Sequence, residues 1–346
     1  MSRRIFCRLL LVVVSVISVL VLSGVLSGQG RSEDAFQRVM EVQERHTERL
    51  MAIDGVEGTA VGLDDEDQPA VKVFLERGGV AGVPKNLDGV PVHAVVTGKI
   101  YALPKPGAEG QDGNRAKSVN PAGWFPAPVP IGVSTGHPKI TAGTIGCRVK
   151  GGGNVYALSN NHVYANENNA KIGDIVLQPG TYDGGMLSNP NHHIGTLAAF
   201  VPIVFSRNAN NTVDAAIALN DPTKQRQLGN ATPDGGYGTP SSTIAAAQIG
   251  IAVQKYGRTT GLTKGTVTGI KATVNVSYGP GKTARFVNQI IITPGSFSAG
   301  GDSGSLVVTN PGRNPIGLLF AGSSTMTVAN PIGDVLSSLH VAIDGQ

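Results

Sequence analysis

Three residues of this sequence have the types needed to activate a serine hydroxyl, and they occur in the order His162, Asp214, Ser303. A serine hydroxyl becomes a useful nucleophile when a base takes its proton, and a neutral imidazole does so near neutral pH. A buried carboxylate then holds the imidazole in one tautomer and stabilises its cation. Each candidate stands beside an apolar, strand-like stretch, in YALSNNHVYA, NTVDAAIAL and FSAGGDSGSLVV. The three residues therefore predict a nucleophilic serine on a rigid rim.

The glycine-rich run around Ser303 predicts a second part of such a site. Backbone N–H groups of Gly301 and Ser303 can converge on one point and stabilise an oxyanion. Loss of one such donor slows acyl transfer by roughly 10²–10³-fold. The GxSxG pattern of lipases does not fit, because Ser305 stands two positions after Ser303.

The residues around Asp214 also support the interpretation of Asp214 as the partner of a histidine. It lies in an apolar stretch with Val213 and Ile217, where a carboxylate is costly unless a partner compensates it. A histidine partner does so.

Other polar residues are given simpler interpretations. His192 and His193, with Asp174 and Asp183 upstream, are interpreted as solvated loop residues, so neither a metal nor a cofactor is expected. Lys255 and Arg258 are interpreted as surface charges of a hairpin, and 151–153 as a hairpin turn. Cys147, in the strand-like GTIGCRV, is predicted to be a small buried hydrophobe.

The composition favours a turn-rich β-protein with no nucleic-acid partner. Gly 47 and Pro 21 interrupt short β-prone runs. Of the 28 basic residues, Arg3, Arg4 and Arg8 lie in the first 30 residues, which contain no acid. The remainder therefore has 28 − 3 = 25 basic against 24 acidic residues, a net charge of +1, so no basic surface for nucleic acid is expected.

Residues 1–30 have a basic start, an apolar run over 9–26 and a small-residue exit, which is typical of an export signal. The run is at the short end of what spans a bilayer, so an uncleaved anchor stays open. In either case we expect an exported chain, secreted or anchored at the outer face of the cytoplasmic membrane. Contact with the membrane is expected only through 9–26, and only if the signal is uncleaved.

The rest of the chain divides into three parts. Residues 31–102 predict a small α+β module, with a helix over 32–53 followed by about three strands. Residues 103–130 are rich in Pro, Gly and polar residues and predict a linker, which Trp124 and Phe125 attach to the next domain. Residues 131–346 read as short strands and glycine turns, with one helix near the end.

The motifs SNNHV, GGDSGSLV and KYGRTTGLTKGTVTGI resemble the chymotrypsin/trypsin superfamily of serine proteases over about residues 135–340. Within it, the chain is most similar to exported bacterial enzymes such as alpha-lytic protease and the streptogrisins, and to bacterial relatives of the plant Narrow Leaf proteases. The resemblance implies two six-stranded antiparallel β-barrels, with His162 as general base, Asp214 as its orienter and Ser303 as nucleophile.

The resemblance also implies the substrate site. Ala321, Gly322 and Ser323 would pair with the substrate backbone and wall its pocket, and the amides of Gly301 and Ser303 would form the oxyanion hole. Phe297 stands where trypsins carry the aspartate that selects Lys or Arg, so a small or medium apolar side chain is expected instead. The relatives' cysteines are absent: Val163 follows His162, and Gln254 and Lys264 flank the GRTTG hairpin.

Two pairs of alternatives stay open at this stage. The 31–102 module, in possible contact with the protease domain, is either a removable pro-region or a permanent accessory domain. The whole chain is either a serine endopeptidase acting on a protein or peptide, or a protease-fold binding or scaffold protein with little turnover. Esterase-like acyl transfer is a minor third possibility.

Overall fold

A computed structural model describes residues 33–103 and 119–346. The predicted export segment and residues 104–118 of the predicted linker lie outside this part of the chain. Within 33–103 and 119–346, no helix is both long enough and apolar enough to cross a bilayer.

The N-terminal module begins with helix α1, which is helical over 33–51. Its buried face carries Val39, Val42 and Leu50, at the helical spacing that the sequence predicted, and packs on Val61 and Val71 of the following strands. Those strands are β1 (Val56–Leu63), β2 (Pro69–Leu75), β3 (Asn86–Leu87), β4 (Val90–Val96) and β5 (Ile100–Ala102).

The next part of the chain forms a six-stranded antiparallel sheet over an apolar core that includes Val149, Leu158 and Cys147. The turn at 151–153 closes the β8–β9 hairpin with two glycines at positive φ, as predicted. The six strands of this sheet are, in spatial order, β10 (Ile175–Leu177), β11 (His193–Phe200), β12 (Ala216–Leu219), β9 (Asn154–Ser159), β8 (Cys147–Gly151) and the C-terminal β19 (Ala342–Ile343). Two short strands, β6 (Ser134–Thr135) and β7 (Gly143–Thr144), pair with each other in a separate sheet.

The remaining strands close into a ring of six in the order β13-β16-β17-β18-β15-β14, because β13 also pairs with β14. Short helices α2 (Asn161–Tyr164) and α3 (Ile332–Leu339) follow β9 and β18. The strands are β13 (Ala252–Gly257), β14 (Gly261–Gly279), β15 (Lys282–Thr293), β16 (Leu306–Thr309), β17 (Pro315–Gly322) and β18 (Thr327–Pro331).

The long β14–β15 hairpin joins the N-terminal module to this ring. Strand β1 pairs antiparallel with β14, from Gly58 opposite Val274 to Gly62 opposite Gly269. Strand β5 lies between β14 and β17 and pairs with both. Arg285 of β15 also forms an ion pair with Glu48 of α1 at 2.8 Å. The module's sheet therefore continues the sheet of the second barrel.

The prediction of a mainly β fold, with two antiparallel β-barrel units preceded by a small α+β module, is confirmed. The predicted helix near the end is α3. Trp124 donates from Nε1 to the carbonyl of Asn191 at 3.1 Å, and Phe125 packs against the core of the first sheet.

Candidate active site

His162 lies in α2, shortly after β9, so the end of an interior strand of the first sheet sets its position. Asn160, the residue that precedes α2, donates from Nδ2 to the carbonyl of Asp214 at 2.7 Å. That bond ties the start of α2 to the segment before β12. Histidine and aspartate, far apart in the sequence, are thereby held side by side.

Asp214 and His162 are in direct polar contact. His162 Nδ1 lies 2.6 Å from Asp214 Oδ2, and the His162 backbone N–H donates to Oδ1 at 3.2 Å. The Asp214 side chain has no exposed surface. Because a carboxylate only accepts hydrogen bonds, Nδ1 is the donor, and Nε2 of the neutral ring is left as an acceptor.

A third donor to Asp214 is the Tyr278 hydroxyl, at the end of β14, which lies 2.8 Å from Oδ2. The Tyr278 ring meets His162 edge-on at a centroid distance of 6.0 Å and also contacts Phe205 at 5.3 Å. Burial raises the pKa of Tyr278 well above its usual value, and the charge of Asp214 raises it further. Tyr278 therefore keeps its proton and remains a donor to the carboxylate.

Two buried amides of the second barrel hold the backbone of Asp214. Asn330 of β18 accepts from the Asp214 N–H through Oδ1 at 3.0 Å, and its Nδ2 donates to Gln289 of β15 at 2.7 Å. Gln289 in turn donates to the Thr212 carbonyl at 2.9 Å. Buried, mutually satisfied polar groups of this kind fix a unique geometry.

Ser303 is buried, with its backbone held against β7 by the Thr144 N–H, which donates to the Ser303 carbonyl at 2.8 Å. A Cβ built on Gly143 would lie 2.5 Å from Val163 Cγ2 and 3.1 Å from the Ser303 carbonyl oxygen. Ser303 and the residue after His162 thus border the same glycine. The structure brings the three predicted residues to one place.

The amides of Gly301 and Ser303 are both turned away from the protein's own acceptors. The Gly300 carbonyl accepts from Thr259 Oγ1 at 2.6 Å, and the Asp302 carbonyl accepts from Ser305 at 3.0 Å (N) and 2.6 Å (Oγ). In a trans peptide the N–H points opposite to the C=O, so each amide points away from the donor that its own peptide carbonyl binds. Neither donates to a group in the described ranges. Gly301 has a φ of 94°, which favours glycine.

Asp302 anchors this loop, and its partner corrects one sequence-based interpretation. Lys255 was expected on the surface, yet its side chain has no exposed surface and its Nζ lies 3.4 Å from Asp302 Oδ2. Asp302 also accepts from the Thr259 N–H at 2.8 Å and from Thr260 Oγ1 at 2.7 Å. A buried lysine is tolerable here because a buried carboxylate neutralises it.

Arg258 is the second correction, because only 9% of its surface is exposed and it does not project into solvent. Its guanidinium binds Asp183 through two nitrogens, with Nε 2.8 Å from Oδ2. Ser134 Oγ donates to the same carboxylate oxygen at 2.5 Å. Arg258 therefore links the GRTTG segment to Asp183 and, through it, to Ser134 of β6.

The hydrogen bond between serine and histidine is not formed in this structure. Ser303 Oγ donates to the Phe320 carbonyl at 3.4 Å, and His162 Nε2 has no hydrogen-bond partner within the described residues. Rotation about the serine Cα–Cβ bond moves Oγ between staggered positions. Such bonds are often long or absent before substrate binds.

The residues predicted for the substrate pocket lie on two adjacent segments. Ala321 and Gly322 end β17, with Ser323 directly after them, and Phe297 ends a 3₁₀ turn and is buried. Ser298, which follows Phe297, lies 2.6 Å from Thr327 of β18, Oγ to Oγ1. Ser298 thus contacts the residue of β18 that pairs with Gly322.

The remaining sequence candidates do not converge on this site. Asp183 binds Arg258, and Asp174 lies 3.1 Å from His137 Nε2. His192 Nδ1 accepts from the Met186 N–H, and burial lowers its pKa, with Arg226 and His193 lowering it further. In residues 33–103 and 119–346, no group of three or more His, Cys, Asp or Glu could hold a metal. Cys147 is buried as predicted, and burial raises its pKa.

Sequence reasoning missed Tyr278, Asn330 and the Lys255–Asp302 pair. Val274, Val276 and Tyr278 alternate along β14, and that period of two indicates that the tyrosine shares the inward face. For Lys255 the sequence carries no comparable indication, because its partner comes from a distant loop.

No protein-family model and no curated protein matches this sequence. Among solved structures, a glutamic acid specific serine protease is 22% identical, with a TM-score of 0.44, 62% of this chain covered and 100% of that chain. Thermobifida fusca protease A is 20% identical, with a TM-score of 0.44, 63% of this chain covered and 99% of that chain. Cellulomonas bogoriensis chymotrypsin is 20% identical, with a TM-score of 0.42, and the match covers 63% of this chain and 99% of that chain. These likenesses extend over part of this chain and over nearly all of each of the three proteases.

Proposed function

We propose that this chain is a serine endopeptidase in which His162, Asp214 and Ser303 hydrolyse a peptide bond through an acyl-enzyme. The observation that carries the proposal is the pair of His162 Nδ1 and Asp214 Oδ2, 2.6 Å apart, with the Nε2 lone pair left unengaged by the described residues. It lies in the same site as a buried serine whose loop turns two amides outward. A serine hydrolase needs these parts together.

The proposed reaction proceeds in two halves. Ser303 Oγ attacks the substrate carbonyl carbon while its proton passes to His162 Nε2, and the oxyanion accepts hydrogen bonds from the amides of Gly301 and Ser303. His162 then protonates the leaving amine, the carbon–nitrogen bond breaks and an ester to Ser303 remains. Water, deprotonated by His162, hydrolyses that ester and restores the serine. Asp214 stabilises the imidazolium in both halves and itself stays unprotonated.

The alternative is a protease-fold binding or scaffold protein with little turnover. One observation favours it: Ser303 Oγ donates to the Phe320 carbonyl instead of to His162. Chemical labelling of the serine separates the two functions, because a fluorophosphonate reacts with an activated serine and not with an ordinary one.

Two further proposals concern the rest of the chain. We propose that residues 1–30 export it, either as a cleaved signal or as a retained anchor, so that the enzyme acts outside the cytoplasmic membrane on protein or peptide substrates. We also propose that the 31–102 module belongs to the precursor as a pro-region. Support comes from its sheet, which continues through β1 into β14 of the second barrel.

The experiment is to expose the full chain, Ser303→Ala and His162→Ala to a fluorophosphonate and measure the intact masses. We expect one adduct on the unchanged chain and none on either variant. A folded, unchanged chain that stays unlabelled even after the linker is opened by limited proteolysis would favour the scaffold alternative. A cut within 103–130 that appears in the unchanged chain but not in Ser303→Ala would support the pro-region. Hydrolysis of esters but not of peptides would indicate an esterase.

A further inference from the structure

The segment 100–103 lies along β17, where the sequence placed the wall of the substrate pocket. Ala102 is opposite Ala321 and Tyr101 is opposite Gly322 in an antiparallel ladder. On its other side the segment pairs in parallel with β14, Ile100 opposite Val276. An extended segment that fills a strand position on an open sheet edge is the usual way for proteases and other sheet proteins to bind peptides.

The chain continues from this ladder toward the serine. The Leu103 N–H donates to the Phe320 carbonyl at 3.4 Å, and Ser303 Oγ lies 3.4 Å from that same oxygen. The Leu103 carbonyl carbon is two bonds from its nitrogen. The carbonyl of Leu103 is therefore the one that this segment brings next to the nucleophile.

The Leu103 side chain enters the space beside the predicted pocket residues. A Cβ built on Gly322 would lie 3.3 Å from Leu103 Cδ2, so the absence of a side chain at 322 leaves the room that the leucine uses. Leu103 also packs against the buried cluster that contains Phe297. Behind the Phe297 ring, at 5.8 Å from its centroid, lies the Nζ of Lys255. An apolar wall with a cation behind it disfavours a basic side chain.

We infer that residues 100–103 are bound as a peptide substrate is bound, with Leu103 in the position of the residue whose carbonyl is attacked. This inference rests on the proposed function. It assigns a substrate class to the site: an extended peptide with a leucine-sized apolar side chain before the cleaved bond and a small residue, like Ala102, before that. It also means that the intact chain occupies its own site.

The sequence gives a reason why the segment 100–103 stays in the site without being cut. Leu103 is followed by Pro104, so the amide after it is tertiary, and the proline ring crowds the preceding residue and restricts it to extended conformations. A leucine held extended before a crowded amide binds well and is cut slowly.

The test compares the full chain with Leu103→Asp, using Leu187→Asp as a matched control on an exposed leucine. The rate of fluorophosphonate labelling of Ser303 is measured first. If the segment occupies the site, Leu103→Asp labels at least about tenfold faster than the unchanged chain, because the open fraction rises. Leu187→Asp labels at the unchanged rate. Leu103→Gly serves in place of the aspartate variant if thermal unfolding shows that the latter does not fold.

The second measurement is the hydrolysis of acetyl-IYAX anilides by the faster-labelling variant, with Leu, Phe, Lys or Glu at X. We expect kcat/KM for Leu to exceed that for Lys and Glu by about 10- to 200-fold. Equal labelling rates of the unchanged chain, Leu103→Asp and Leu187→Asp would overturn the inference that the segment occupies the site. The proposal of a serine endopeptidase would still stand. Preference for Lys or Glu would overturn the substrate class alone. Absence of labelling from every folded variant would overturn the proposed function itself.

Discussion

Tyr278 and Asp214 are joined across the two barrels by a hydrogen bond of 2.8 Å. The tyrosine comes from the end of β14 in the second barrel, and the aspartate comes from the segment before β12 in the first. The same hairpin pairs with β5 one residue earlier, Ser277 opposite Tyr101. The geometry of the histidine–aspartate pair therefore depends on how the two barrels and the N-terminal segment are docked.

Tyr278→Phe removes this donor and keeps the ring. We expect kcat to fall about 10- to 150-fold with little change in KM, because a hydrogen bond to a charged group contributes about 1.5–3 kcal/mol. Both constants are measured by steady-state hydrolysis of a leucine anilide, comparing the Leu103→Asp chain with the same chain that also carries Tyr278→Phe. Tyr256→Phe, at another buried tyrosine of the second barrel, is the control. A fall confined to KM would contradict a positioning role for the tyrosine.

Lys255→Met tests the buried ion pair with Asp302. Removing one partner leaves an uncompensated buried charge, so we expect the free energy of unfolding to drop by about 3–5 kcal/mol. Denaturant unfolding measures the drop. Lys264→Met, at an exposed lysine opposite Gln254 on the same hairpin, should change it by less than about 0.5 kcal/mol. Equal effects of the two changes would show that Lys255 behaves as an ordinary surface charge.

Gly304→Ala tests the close approach of the loop that carries Ser303 to Ser159 and Thr144. Gly304 has a φ of 92°, and a Cβ there would lie 2.2 Å from Ser159 Oγ and 2.3 Å from the Thr144 carbonyl oxygen. Backbone strain and overpacking together should cost about 2–4 kcal/mol of unfolding free energy. Gly78→Ala has open space around it and serves as the matched control. Similar stability of the two variants would mean that the loop can move away at little cost.

Asp344 ties the C-terminal strand to β8, and its contribution should depend on pH. Burial raises the pKa of Asp344, but hydrogen bonds from Lys150 and Arg148 outweigh it and hold the pKa below 3.8. Because the folded value is the lower one, the stabilisation is present above the unfolded value and is lost as pH falls through the folded one.

We therefore expect Asp344→Asn to lower the free energy of unfolding by about 1–3 kcal/mol at pH 7. The difference from the unchanged chain should shrink below about pH 4. Denaturant unfolding across pH 3–7 measures both values. Asp234→Asn, at an exposed carboxylate, should have an effect under about 0.5 kcal/mol. A difference for Asp344→Asn that is the same at pH 3 and pH 7 would contradict the ion-pair account.

Strands such as β2 could be predicted from the sequence because a strand depends on local pattern. Alternating apolar residues along AVKVFL indicate β2, and the glycines at 151–153 indicate the β8–β9 turn. The residues around His162 and Ser303 belong to short motifs whose chemistry can be read without knowing the fold. The helix predicted over 32–53 is observed over 33–51, since helical spacing is also a local property.

The tertiary structure alone decided which polar groups are buried and which segments meet. Lys255 reads as a surface charge in its own hairpin, and its burial depends on Asp302 from a distant loop. Likewise, only the packing of β14 and β17 gives β5 a place between them. Local pattern is set by neighbours along the chain, whereas charge compensation and strand pairing are set by residues that only folding brings together.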